Sequence, residues 1–236
     1  MKTVIANDYQ QYAHFISRIP RLFAQNEAEI IYSKRNEVRR ILHQGKTFIA
    51  KRYKKVNIIQ QIVYTFFRKT KAERAYLYAQ EFRNRGIDTP REIAYIETTA
   101  HGLFTVGYFV SEECPWREAA LDLRERADFD RELAQALMQH IVLMHSRGIL
   151  HGDLNLTNFL YKRDIDGQYH FMMIDINRSH FTEGMPTDTQ CLRNLVRITH
   201  RRDLYQYLIL QYAKLRNWPA DTTLKQALQL LNRFEH

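Results

Sequence analysis

Residues 151–158 read His151-Gly152-Asp153-Leu154-Asn155-Leu156-Thr157-Asn158, and residues 174–177 read Ile174-Asp175-Ile176-Asn177. A long helix is expected before the first stretch. A β-hairpin, 159–162 with 169–174 and a turn at Asp166-Gly167, is expected between the two. Moving a phosphoryl group from ATP requires a carboxylate that receives and orients the attacking hydroxyl, and oxygen ligands that hold Mg²⁺ against the phosphates. Asp153, Asn158 five positions later, and Asp175 after the hairpin supply that set in that order. The plain alternative is a turn with ordinary capping Asp and Asn. The joint occurrence of the spacing, the hairpin and the apolar–Asp step weighs against it.

Upstream, Phe48-Ile49-Ala50-Lys51 reads as a strand ending in lysine. That is the placement of the lysine that binds the α- and β-phosphates in kinases. Strand-end lysines are usually solvated, so the position in the third strand, a hundred residues before the loop, carries the assignment. A helical glutamate should clamp the lysine. Glu73, near the start of a helix over 71–85, is preferred to Glu81 two turns later.

The 236 residues are 45% hydrophobic and 12% aromatic, with eight Gly and five Pro, which suffices for a buried core and excludes a disordered chain. Lys and Arg number 35 against 26 Asp and Glu, a formal charge of +9, so phosphates, nucleic acid or anionic headgroups suit it as partners. Two cysteines, Cys114 and Cys191, cannot form a disulfide framework and fit a reducing compartment. The first twenty residues hold no long apolar run, and no window approaches the ~18 apolar residues that span a bilayer. The expectation is a soluble, cytoplasmic protein.

Asn7-Asp8 is expected to cap a short helix carrying Tyr12, Phe15, Ile16 and Ile19, stopped by Pro20. Strands over 29–33, 38–42 and 47–53 form a meander, followed by helices over 57–67 and 71–85, the second closed by Gly86. Strands over 92–97 and 103–110 turn at His101-Gly102. After Cys114-Pro115 the pattern becomes helical, with Asp128 or Asp130 capping a long helix that ends at Gly148, and helices from about Asp188 onward. The fold class is α+β: a strand-rich N-terminal lobe, 1–112, and a small helical C-terminal lobe, 113–236.

These motifs resemble the bacterial lipopolysaccharide core kinases, the Kdo/heptose kinase family with the protein-kinase-like fold. The resemblance runs through the Arg35-Asn36 turn, the sequence AKRYK around Lys51, Lys71-Ala72, Gly86-Ile87-Asp88-Thr89-Pro90, HGDLNLTN, and IDINRSHF over 174–181. The last is the most specific, because protein kinases have Asp-Phe-Gly there. The resemblance implies ATP and Mg²⁺ as cofactors, with Asp153 as catalytic base, Lys51 on the phosphates, and Asn158 and Asp175 on magnesium. It assigns Lys34, Arg35, Asn36, Lys51 and Glu112 to the nucleotide. Arg178 is placed on the transferred phosphate or an anionic substrate, a surface ion pair being the equal alternative. His151 braces the loop. The implied partner is an anionic glycolipid or sugar, with peripheral contact at the inner membrane and no nucleic acid.

Three departures shape the reading. The nucleotide loop Lys34-Arg35-Asn36 lacks glycine, Asn155 stands where protein kinases commonly have a loop lysine, and Asn177 replaces the glycine after the metal aspartate. The short stretch after Asp175 has no Ala-Pro-Glu motif, which favours a sugar or small-molecule kinase over an atypical protein kinase. An aminoglycoside- or choline-type kinase shares the HGDL…N pattern, but such enzymes usually bind cationic substrates with acidic surfaces. A pseudokinase scaffold is disfavoured by the full residue set, and a basic nucleic-acid-binding module by the lack of a recognition motif.

From 51 to 74 lie eight basic residues and one acidic one, net +7. Between the basic clusters, Ile58, Ile59, Ile62, Val63, Phe66 and Phe67 form one apolar helix face. Packing on the strand-rich lobe is the ordinary expectation for such a face. The alternative is a docking surface for an anionic glycolipid or membrane.

Overall fold

The computed structural model describes residues 1–235. Contacts divide it into two units, Met1–Glu81 with Pro90–Cys114, and Phe82–Thr89 with the residues from 115 onward.

The first unit is built on a six-stranded antiparallel sheet. Its strands are β1 (Lys2–Ile5), β2 (Glu29–Ser33), β3 (Glu37–His43), β4 (Lys46–Arg52), β5 (Glu92–Ala100) and β6 (Leu103–Glu112), in the order β1-β5-β6-β4-β3-β2. The meander β2–β3–β4 is as expected. Gln44-Gly45 and His101-Gly102 both adopt positive φ, which closes the two tight hairpins. Two short helices, α1 (Ala13–Ser17) and α2 (Ile19–Ala24), lie over the sheet. Ile16, Ile19 and Phe23 from these helices join Phe48, Ala50, Ile93, Ile96 and Val110 in its core.

The start of the chain departs from expectation. Residues 2–5 pair with β5 as an edge strand, residues 7–12 form a 3-10 turn, and neither Asn7 nor Asp8 caps a helix. Asp8 instead pairs with Arg91 at 2.6 Å. Pro20 opens α2 rather than stopping a helix, because proline in the first turn forfeits no intrahelical hydrogen bond.

Between β4 and the long helix α4 (Lys71–Asn84) runs α3 (Ile58–Phe66), capped by Asn57, whose side chain accepts the Gln60 N–H at 2.9 Å. The ordinary expectation for its apolar face is overturned. Tyr64 meets Phe104 edge-on at 5.7 Å, and the Thr65 hydroxyl accepts the Phe104 N–H at 2.9 Å. Those contacts seat the helix on β6 by its polar side and leave Ile58, Ile59, Ile62, Val63, Phe66 and Phe67 exposed.

The second unit is mainly helical: α5 (Ala119–Leu123), α6 (Arg131–Ser146), α7 (Asp188–Leu195), α8 (Arg202–Leu215) and α9 (Ala220–Glu235). Asp130 caps α6 by accepting the Leu133 N–H at 2.9 Å, and Leu133, Leu137, Ile141 and Met144 are fully buried along it. Two small sheets complete the unit. The strands β7 (Arg117–Glu118), β9 (Phe159–Arg163) and β10 (Tyr169–Met173) form one, with the predicted hairpin in register Phe159 to Met173. The strands β8 (Ile149–Leu150) and β11 (His180–Phe181) form the other.

Candidate active site

After α6 and its C-cap Arg147 the chain turns at Gly148, at φ +71, where a Cβ would stand 2.5 Å from the Thr182 carbonyl oxygen. Glycine therefore lets β8 reach β11 and delivers the chain to His151. That ring is fully buried. Its Nε2–H donates to the Ile174 carbonyl at 3.0 Å, and its Nδ1 accepts the Asp153 N–H at 3.1 Å. Burial lowers its pKa, so the imidazole stays neutral, as one donor and one acceptor require. His151 thus braces the loop. A Cβ on Gly152 would lie 2.1 Å from the Arg178 carbonyl oxygen, so the loop passes directly against that backbone. Leu154 and Leu156 are fully buried and anchor the loop, while Asp153, Asn155 and Asn158 remain part-exposed. Asn155 acts within the loop itself, where its side chain accepts the Thr157 N–H at 3.1 Å and caps the 3-10 turn that ends at Asn158.

The loop is stitched to Asp175 through Ile174. The Ile174 N–H donates to the Asn158 carbonyl at 3.0 Å, while the Ile174 carbonyl receives His151. The Asn158 Nδ2 donates to the Asp153 carbonyl at 2.8 Å, which leaves its Oδ1 as an acceptor. Asp175 sits at φ +57 in the left-handed region, a conformation costing a non-glycine residue ~1 kcal/mol or more. The Asn177 Nδ2 donates to its Oδ1 at 2.7 Å. Asp153, Asn158 and Asp175 are therefore held together within one unit, by a main-chain bond to the Ile174 N–H and a His151 side-chain bond to the Ile174 carbonyl.

Two guanidinium groups flank the Asp153 carboxylate: Arg178 Nη1 at 3.8 Å from Oδ2 and Arg197 Nη1 at 4.0 Å from Oδ1. Both are long, part-exposed contacts of little worth to stability. Arg197 had no sequence signal, since it lies in a motif-free stretch after α7 and reaches the loop only through the fold.

Behind the loop runs a one-way chain of hydrogen bonds. Arg216 donates to the Tyr212 hydroxyl at 3.0 Å, and Tyr212 donates to His145 Nδ1 at 2.8 Å. His145 Nε2–H donates to Asn194 Oδ1 at 3.1 Å, and Asn194 Nδ2 donates to the His151 carbonyl at 2.7 Å. This polarity needs a neutral His145. Burial holds its pKa down at about 4. Burial also pushes the Tyr212 phenol up, so it remains a donor.

The remaining candidates lie in the first unit. Lys51 is in β4, opposite Val38 of β3 and Phe109 of β6, with its ammonium 5.5 Å from the centre of the Tyr53 ring. Lys34 and Arg35 are exposed in the β2–β3 turn, closed by a bond from the Lys34 N–H to the Asn36 carbonyl at 3.1 Å. Glu73 stands in the first turn of α4, 3.9 Å from Lys2, beside a cleft of about 450 Å³ next to the end of α3. The Glu112 carboxylate accepts from Tyr9 and Lys46, each at 2.6 Å. Burial alone would raise its pKa, but those two donors outweigh it and hold the group below the usual range.

Among the described residues no group of three or more His, Cys, Asp and Glu is placed to hold a metal. The Asn158 amide oxygen and the Asp175 carboxylate nevertheless suit a hard cation. Magnesium usually takes one or two protein oxygens and completes its shell with water and phosphate.

Taken with the sheet-based and helical units, the loop defines a protein-kinase-like fold. WaaP in complex with acyl carrier protein matches it over 100% of this chain and 97% of that one, with a TM-score of 0.63 and 17% identity. The profile of the Lipopolysaccharide kinase (Kdo/WaaP) family matches residues 28–214, and the chain belongs to that family. Two curated relatives are 3-deoxy-D-manno-octulosonic acid kinases. The one from Vibrio cholerae serotype O1 is 26% identical over 121 residues, 51% of this chain and 49% of its own. The one from Vibrio vulnificus is 28% identical over 122 residues, 50% of each. The chain thus spans about half the length of the curated relatives it matches.

Proposed function

We propose that the protein transfers the γ-phosphoryl group of ATP to a hydroxyl of an anionic lipopolysaccharide-core sugar, Kdo before heptose. The observation that carries this reading is the Asp153 carboxylate between Arg178 and Arg197, tied through Ile174 to Asp175. Asp153 orients the acceptor hydroxyl and takes its proton. The sugar oxygen forms a bond to the γ-phosphorus as the bond to the β–γ bridging oxygen breaks, and ADP leaves. Lys51 is assigned to the α- and β-phosphates, with Lys34, Arg35 and Asn36 covering them. Glu73, in preference to Glu81, is assigned to clamp Lys51, and Glu112 to the nucleotide. Asn158 and Asp175 would hold Mg²⁺, which supplies positive charge against the phosphates.

Arg178 and Arg197 bind the carboxylate or phosphate of the acceptor, a role that suits guanidinium forks better than a neutral sugar would require. With ATP as donor, the reaction is placed on the cytoplasmic side of the inner membrane. The test is transfer from γ-labelled ATP to a Kdo-bearing lipid A precursor, to a heptose-bearing core fragment, and to a neutral glycan. Labelling of a Kdo-bearing acceptor supports the reading. Absence of labelling on every anionic core fragment, from protein that binds Mg²⁺–ATP, overturns it.

A further inference from the structure

Helix α3 is amphipathic in the wrong direction for a core element. Its sheet-facing side carries Gln61, Tyr64 and Thr65, while Ile59, Phe66 and Phe67 are 71%, 67% and 80% exposed on the other side. At 100° per residue the six apolar side chains cover about half the circumference, centred away from β6. Leaving them in water forgoes the burial that usually holds a helix, so this face is built to be covered. The charge around it indicates by what. Lys54 and Lys55 precede the helix, Arg68 and Lys69 follow it, and all four are exposed. Among the described residues none of these side chains is in an ion pair. The stretch 51–74 carries net +7 of the chain's +9. No helix among the described residues is long and apolar enough to cross a membrane.

We infer that α3 lies in the interface of an anionic bilayer, with its isoleucines and phenylalanines at the acyl boundary and the flanking lysines and arginines on lipid phosphates. Its purpose rests on the proposed glycolipid acceptor, but the binding itself does not. A basic-flanked apolar face is the ordinary construction of an interfacial helix. Each cation near such a surface adds about fivefold in affinity.

The experiment is flotation of the full chain with vesicles of phosphatidylcholine containing phosphatidylglycerol, and with phosphatidylcholine alone, at low and high salt. The expected result is binding to the anionic vesicles at low salt that weakens as salt rises. Phe66→Glu with Phe67→Glu should abolish it. Lys54→Ala with Lys55→Ala should weaken it about 25-fold. Both doublets should keep the wild-type melting temperature, since those side chains are already in water. Both should also keep wild-type transfer to a deacylated, water-soluble acceptor. No flotation at low salt overturns the inference, as does flotation unaffected by the phenylalanine doublet. A wild-type dimer, or a complex with an acidic acyl carrier protein, that the doublet dissolves while vesicles are ignored also overturns it. Flotation as expected, with no transfer even to the soluble acceptor, sustains the docking surface and defeats the kinase reading instead.

Discussion

Gly152 shows how tightly the loop is drawn. A methyl group there would sit 2.1 Å from the Arg178 carbonyl oxygen and 2.7 Å from its carbonyl carbon, both backbone atoms that cannot swing aside. Gly152→Ala should therefore cost about 1–3 kcal/mol and most of the activity, read by thermal unfolding and turnover together. Asp153→Asn and Asp175→Asn should each lower transfer by about 10²-fold or more while keeping the fold. Asp175→Asn should also weaken Mg²⁺-dependent nucleotide binding, which Asp153→Asn should not; calorimetric titration with ATP, with and without the metal, separates them. Asparagine tolerates the left-handed backbone at position 175, so lost binding there reports on the charge rather than on strain. Arg197→Ala should raise KM for the anionic acceptor about tenfold or more and leave KM for ATP unchanged, since a charge-assisted bond contributes ~1.5–3 kcal/mol. Asp153, Asn158 and Asp175 were legible because their spacing is local in the chain. Arg197 was not, because nothing in its own neighbourhood marks it and only the path from α7 to α8 brings it to Asp153.

Helices α6, α7 and α8 reach the loop through His145, Asn194 and Tyr212. Asn194→Leu should remove the donor to the His151 carbonyl and lower kcat with KM little changed. Asn194→Asp, which lacks that donor as well, should not rescue it. The buried His145 gives this relay a pH signature. Below pH 6.5 an unfolded chain takes up a proton that the folded state refuses until about pH 4. Stability from this group is thus complete above about 6.5 and falls as pH drops towards about 4. His145→Gln should flatten the unfolding free energy between pH 5 and 6.5 by about one proton's slope in denaturant melts. At this scale the meander, the Gly86 and Gly148 stops and the 159–173 hairpin were readable from turn residues and periodicity. β1 was not, since four residues become a strand only by pairing with β5, ninety positions away. The outward face of α3 was not readable either. Periodicity gives the width of an apolar stripe, but the Tyr64 and Thr65 contacts decide which way it turns.

Across the whole chain, nucleotide binding should appear as stability. Mg²⁺–ATP at about a hundred times its Kd adds about 2.7 kcal/mol to a protein that binds it only when folded. For a chain of this length that is a rise in Tm of about 5–10 °C. Lys51→Met and Asp175→Asn, each proposed to serve the nucleotide, should each abolish most of this rise in a thermal shift measurement. A wild-type shift in both variants would remove these residues from the nucleotide site. The large sheet carries a consequence of another kind. It ends in β2, whose five residues are all exposed, with Ile30, Ile31 and Tyr32 along a row of unpaired peptide groups. An open apolar edge is a template for another strand, and Glu29 is its only charged residue. In concentrated preparations this edge, rather than any loss of fold, should set how long the protein stays dispersed. Ile31→Lys should lengthen that time without altering catalysis.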